Sequence, residues 1–277
     1  MKRHPLVSVI IPAFNAQDTI ARTLASVHAQ TYPAFEVIVI DDGSTDATAA
    51  IVAGAGHGAI PTRLIRTGNA GAAAARNTGI AASNGALIAP LDSDDLWRPD
   101  YLWSQVKALA AAPAETGFVY VLHQVIDFQG RILRSFPDFN CHGYVFHQHL
   151  LVNFVGNGSA AVFRREAVSE AGGYDVDSRL WGGGEDYLLQ LLIAARRPVA
   201  FNSAVLVGYR KRPGSLSSDP ACALRSRLAV VERALTGRTA PACLRRWIAC
   251  DAALAASAQY ALARRWRRAA RLALQAL

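Results

Sequence analysis

Two β-branched runs, Val7-Ser8-Val9-Ile10-Ile11 and Phe35-Glu36-Val37-Ile38-Val39-Ile40, are joined by a helical pattern from about Ala16 to Gln30. This β-α-β unit restricts the fold more than any other feature of the chain. The rhythm then repeats. Asp42-Gly43-Ser44-Thr45-Asp46 breaks the second strand and offers N-caps to a helix that stops near Gly54. A third strand is expected at about Arg63 to Arg66, an alanine-rich helix from about Ala70 to Ser83, and a fourth strand from Ala86 to Leu91. Strands alternating with helices of this length imply an α/β fold: a Rossmann-like, mainly parallel sheet flanked by helices.

After Asp95 the pattern changes. A helix near Asp100 to Ala112 leads into Phe118-Val119-Tyr120-Val121 and a hairpin through Gln129-Gly130, which predicts a mixed sheet. From about Asp219 the chain reads as purely helical and rich in Ala, Arg and Leu. The expected division is therefore a catalytic domain over 1–218 and a C-terminal helical extension over 219–277.

With 277 residues, 52% of them hydrophobic, the chain can bury a full core. Its net charge of +8 favours anionic partners: nucleotide sugars, acidic lipid headgroups or nucleic acid. No nucleic-acid-binding motif accompanies the charge, so that partner is not expected. Cys141, Cys222, Cys243 and Cys250 form no Cys-x-x-Cys pair, and reduced thiols are the economical reading. No run of about 18 apolar residues and no signal-peptide core is present, so a cytoplasmic protein is expected, attached to a membrane at most by its surface.

In open parallel sheets, ligands bind beyond the carboxyl ends of the strands. Here those ends are Pro12-Ala13-Phe14-Asn15, Asp41-Asp42-Gly43-Ser44 and Asp92-Ser93-Asp94-Asp95. Their carboxylates converge on one edge, where they repel unless a cation or ligand donors offset the charge. Asp-x-Asp after a buried strand suits a hard cation shared with a diphosphate; the alternative is a solvated turn capping the helix near Pro99. Asp41-Asp42 fits a grip on base or ribose, or an N-cap. Pro12 and Phe14 fit the walls of a flat base with Asn15 beside it, or simply a strand-ending turn.

Asn69 to Gly79 offers a small-residue helix start open to phosphate, with Arg76 as charge partner. It is not a dinucleotide fingerprint, because the Gly spacing is wrong. Trp181-Gly182-Gly183-Gly184-Glu185-Asp186-Tyr187 sets two carboxylates at a helix start, where one could take a proton from an acceptor hydroxyl or merely cap the helix. Cys141, His142, His147 and His149 lack the spacing of a transition-metal site and fit a loop or acceptor-facing surface.

Taken together, these segments resemble family 2 glycosyltransferases of the GT-A fold over roughly Pro5 to Ser217. The resemblance rests on Val7 to Asn15, Val39 to Asp46, the Ala-Arg-Asn segment before Gly79, Leu91-Asp92-Ser93-Asp94-Asp95, Gly172-Gly173-Tyr174-Asp175 and Gly184-Glu185-Asp186-Tyr187. It implies inverting transfer from a nucleotide-diphosphate sugar, uridine expected, to a carbohydrate or lipid-linked acceptor. Asp42 would bind the base with Pro12, Phe14 and Arg76. Asp92 and Ser93 would lie at ribose and diphosphate, and Asp94, with Asp92, would hold Mn2+ or Mg2+. Asp186 would be the general base and Glu185 its orienting neighbour. Arg212 stands where the family often has a His that can complete the metal shell, so the resemblance implies a more weakly held metal here, or direct binding of the diphosphate by Arg212 and Lys211.

In the tail, Leu244, Trp247, Ile248 and Leu254 fall at roughly helical spacing, which predicts packing back on the core. Arg264-Arg265-Trp266-Arg267-Arg268, then Leu272 and Leu274, also fits a helix lying on an anionic membrane surface. The sequence also admits two rival readings, a nucleotide-binding protein without turnover and a sugar nucleotidyltransferase. The second lacks a Gly- and Arg-rich loop after the first strand.

Overall fold

The computed structural model describes residues 4–55, 60–180, 183–211, 219–238, 242–262, 265 and 267–271. Trp181, Gly182, Arg212, Arg264, Trp266, Leu272 and Leu274 lie outside them. The first half is built from β1 (Val7–Ala13), α1 (Ile20–His28), β2 (Phe35–Asp41), α2 (Thr48–Gly54), β3 (Thr62–Arg66), α3 (Ala72–Ala81) and β4 (Leu87–Pro90). β1 lies parallel between β2 and β4, and β3 extends the sheet beyond β2. Every residue of β1 and β4 is buried, as continuous apolar runs covered by helices require.

The second half makes the sheet mixed. It contains β5 (Leu96–Trp97), α4 (Tyr101–Ala111), β6 (Phe118–Ile126), β7 (Ile132–Ser135), α5 (Phe146–Leu151), β8 (Ala161–Arg164), α6 (Arg165–Ala171), α7 (Glu185–Ala194) and β9 (Val199–Arg210). The order along the sheet is β3-β2-β1-β4-β8-β6-β9-β5, with β7 paired to β6 alone. β8 runs antiparallel to both β4 and β6, and β9 runs parallel to β6. The carboxyl ends of β1, β2, β4, β6 and β9 therefore share one edge.

Several boundaries differ from expectation for a local reason. α1 begins at Ile20 rather than near Ala16, because Ala16 N–H donates to Thr48 Oγ1 and Gln17 N–H to Asp46 Oδ2. Those bonds hold residues 16–17 against the turn after β2. The helix after the acidic turn starts at Tyr101 behind Asp100, and β5 intervenes. Asp92 to Asp95 consequently do not cap it.

Beyond β9 come α8 (Pro220–Ala234), with Asp219 Oδ1 accepting from Ala221 N–H at its start, and α9 (Ala242–Leu262). α8 packs on α7 through a second apolar cluster that includes Leu180, Tyr187, Leu188, Leu191, Val230 and Ile248. The tail thus folds back on the core, but not by all four expected residues. Ile248 is buried and Leu244 packs beside it, whereas Trp247 and Leu254 are exposed. Residues 244 and 248 share one helix face; 247 and 254 share another. Among the described residues no helix is long and apolar enough to cross a membrane.

Candidate active site

Three turns meet at the shared edge. Asn15, in the left-handed region at φ 47°, donates its N–H to Ser44 Oγ, and its side-chain oxygen accepts from Thr45 N–H at 2.9 Å. It therefore ties the turn after β1 to the turn after β2. Phe14 is 46% exposed beside it, while Pro12 is buried within β1, so of the two expected walls only Phe14 stands open.

Asp41 and Asp42 are buried and engaged by the protein itself. Asp41 accepts from Ser44 N–H and pairs with Arg66 at 3.2 Å. Asp42 accepts from Thr67 Oγ1, from Ala70 N–H and, at 2.7 Å, from Gly71 N–H. The approach to α3, expected to be open to phosphate, is thus closed by the Asp42 carboxylate, whose charge suits a helix N-terminus.

Arg76 differs most from expectation. Its side chain is 4% exposed and spans two carboxylates, donating Nη2 to Asp92 Oδ1 at 2.6 Å and Nη1 to Glu185 Oε1 at 2.8 Å. The Tyr174 ring lies 5.2 Å from its Cζ. The next residue, Asn77, donates to Tyr174 O and accepts from Tyr174 N–H. α3 thereby fastens the segment before α7 to the acidic turn after β4.

Within that turn, Asp92 and Asp94 are partly accessible, whereas Ser93 and Asp95 are buried. Asp95 accepts from Ser159 Oγ at 2.7 Å, from Asn157 Nδ2 at 3.0 Å and from Arg210 N–H at 2.8 Å. Burial, then the charges of Asp94 and Asp92, raise its pKa well above the usual carboxylate range, against those hydrogen bonds. Ser159 Oγ also accepts from Asp92 N–H, and Arg210 Nε donates to the Asp94 carbonyl. Asp95, Ser159 and Arg210 thus fix the turn from behind. The sequence reading gave them no role, although Asp95 stood inside the motif.

Asp186 lies at the start of α7 with Tyr187 N–H on its Oδ1. Burial, reinforced by Glu185 and Asp92 and opposed by Arg76, pushes its pKa up to about 7. A carboxylate poised there suits general-base work near neutrality. Gly158, in a short 3-10 turn before β8, allows the close approach: a Cβ at that position would lie 2.7 Å from Asp186 Oδ2. We expect Gly158→Ala to displace the carboxylate and lower turnover by about 10²-fold. Nucleotide affinity should hold, as steady-state kinetics beside calorimetry will check. A side chain on Gly184 would collide with Ser226 and Val230 of α8, so the tail braces the start of α7.

Asp92 and Asp94, partly accessible on a fixed turn, offer hard oxygen donors that fit a divalent cation whose shell a diphosphate and water would complete. Among the described residues no three acidic, His or Cys groups form a closed metal cage. His149 is buried against Phe154 and Tyr187, with burial pushing its pKa down to about 3, and lies at no acceptor surface.

The sequence profile of Glycosyl transferase family 2 matches residues 8–172. Succinoglycan biosynthesis protein ExoO of Rhizobium meliloti is 41% identical over 138 residues, covering 48% of this chain and 38% of that protein. An Escherichia coli UDP-Glc:alpha-D-GlcNAc-diphosphoundecaprenol beta-1,3-glucosyltransferase, WfgD, is 37% identical over 123 residues, covering 44% and 47%. This chain spans less than half the length of either. The mannosyltransferase PcManGT of Pyrobaculum calidifontis, solved with GDP-Man and Mn2+, superposes with a TM-score of 0.64 at 25% identity, covering 99% of this chain and 80% of its own. The profile covers more than half of the sequence, and the protein belongs to glycosyl transferase family 2.

Proposed function

We propose that this chain transfers a sugar, with inversion, from a nucleoside diphosphate sugar to an acceptor hydroxyl in the synthesis of cell-surface polysaccharide or glycolipid. The observation that carries the reading is Asp186: a carboxyl poised near neutrality, joined through Glu185 and Arg76 to Asp92 on the donor side. In the reaction Asp186 takes the acceptor proton as the oxygen attacks the anomeric carbon, and the nucleoside diphosphate leaves from the opposite face. The sugar never bonds to the enzyme. Phe14 and Asn15 border the base, and Asp92 and Ser93 the ribose and diphosphate. A divalent cation held by Asp94 and Asp92, Mn2+ or Mg2+, would offset charge on the leaving diphosphate. Residues 1–218 form the catalytic domain and 219–277 the extension that supports it. The protein works in the cytoplasm of a bacterium, on or near the inner face of the membrane.

Uridine is the expected base, as in the donor that names WfgD, although PcManGT was solved with a guanosine donor. Calorimetric titration with uridine, guanosine and thymidine diphosphates, each with manganese and with chelator, tests the donor site. One nucleotide should bind, and only with the metal; Asp94→Asn should weaken that binding by roughly tenfold or more. No binding of any of the three would overturn the reading.

A further inference from the structure

The hairpin of β6 and β7 presents apolar side chains on both of its faces. Ile132 is 61% and Leu133 59% exposed, and Phe128 and Phe139 are exposed near them in sequence. Arg131 and Arg134 flank the pair and are exposed, and Lys211 follows β9 beside them. Arg134 is close enough to depress the Lys211 pKa, after burial. Opposing charge comes from Asp127, paired to Arg131 at 2.6 Å, and from the exposed Asp138.

Both ends of this hairpin are anchored in the site. The carbonyls of Asp127 and Phe128 accept from Arg210 Nη1, the same guanidinium whose Nε holds the Asp94 carbonyl. At the other end the Phe136 ring lies against Gly156, where a Cβ would come within 2.5 Å of it, and Gly158 two residues on touches Asp186. The exposed strand therefore borders the mouth between the donor turn and the base.

From this geometry we infer that the β6–β7 hairpin is the surface by which the enzyme sits on an anionic lipid bilayer, with Ile132 and Leu133 entering the interface. The charge pattern selects this occupant. A second copy adding to the β7 edge antiparallel, in the register centred on Ile132 and Leu133, would set Arg131 of each copy against Arg134 of the other, a like-charge pairing that edge strands use to block association. Anionic headgroups complement the same residues, and an apolar pair between cations fits the headgroup boundary. The inference rests on the reading that the acceptor is lipid-linked, since the hairpin brings the mouth of the site to the surface where such an acceptor lies.

Cosedimentation of the full chain with vesicles of equal phosphatidylglycerol and phosphatidylcholine tests this, with pure phosphatidylcholine as reference. The wild type and Trp247→Ser should pellet with the anionic vesicles alone. Ile132→Ser/Leu133→Ser should bind them roughly tenfold or more weakly, with melting temperature and nucleotide affinity unchanged. Equal pelleting of the double variant, or its loss only in Trp247→Ser, would overturn the hairpin assignment. So would a concentration-dependent dimer, seen by sedimentation velocity, that the double variant abolishes. Hairpin-dependent binding in a protein inactive on lipid-linked acceptors would uphold the surface and reject the acceptor reading alone.

Discussion

Replacing Asp186 by Asn should abolish transfer by about 10²- to 10⁴-fold while nucleotide binding is retained, because the change removes a proton acceptor and almost no volume. The pH dependence of the wild type follows from the same group. With a pKa near 7, Asp186 is increasingly protonated below neutrality, so kcat/KM for the acceptor should fall about tenfold per pH unit there. Stability moves the opposite way. A carboxyl whose pKa is raised on folding stabilises the protein at low pH, and that contribution is lost as pH rises from the unfolded value through about 7. Asp186→Asn should therefore gain melting temperature over the wild type at pH 8, and less at pH 5. Thermal scans at both values, beside a pH–rate profile, check the two claims. Normal turnover in the variant would remove Asp186 as the base.

The second large effect belongs to Arg76. Arg76→Ala leaves Asp92 and Glu185 without their shared counter-charge, and breaking a buried pair from one side costs about 3–5 kcal/mol. The melting temperature should fall by on the order of 10 °C. Loss of the positive charge should also move the inflection in kcat/KM to higher pH, since Arg76, more than the Tyr187 N–H, holds the Asp186 pKa down. Arg76→Lys should recover part of the stability but not all, because an ammonium cannot serve both carboxylates with the planar fork. If Arg76 instead gripped the base, nucleotide affinity would collapse while melting stayed put. That result would reject the bridging role.

The alternating half of the fold was legible because apolar runs ended by Asn15, Asp42 and Asp92 carry both the strand period and the polar breaks. What local pattern does not carry is the partner of a polar group distant in sequence. Asp42 reads equally well as a base ligand or a cap until residues 67–71 are seen around it. Arg76 lies 109 residues from Glu185, and nothing near either one announces the other. Gly158-Ser159 carries no local signal, because a glycine shows its purpose only through what presses on it, here the Asp186 carboxylate. Helical spacing in the tail likewise gave the stripes and not which stripe is covered.

The support that α8 gives to Gly184 bears on how such enzymes can be recombined. The family profile ends at residue 172, before Glu185 and Asp186, and the helix that seats them begins only at Pro220. A chimera that imports residues 8–172 from a relative would pair a foreign Arg76 and Asp92 with a native Glu185 and Asp186, and Arg76 would have to find Glu185 across the seam. Exchange of donor specificity should succeed where the graft keeps Arg76, Asn77 and the Tyr174 segment from one parent, together with the helix behind them.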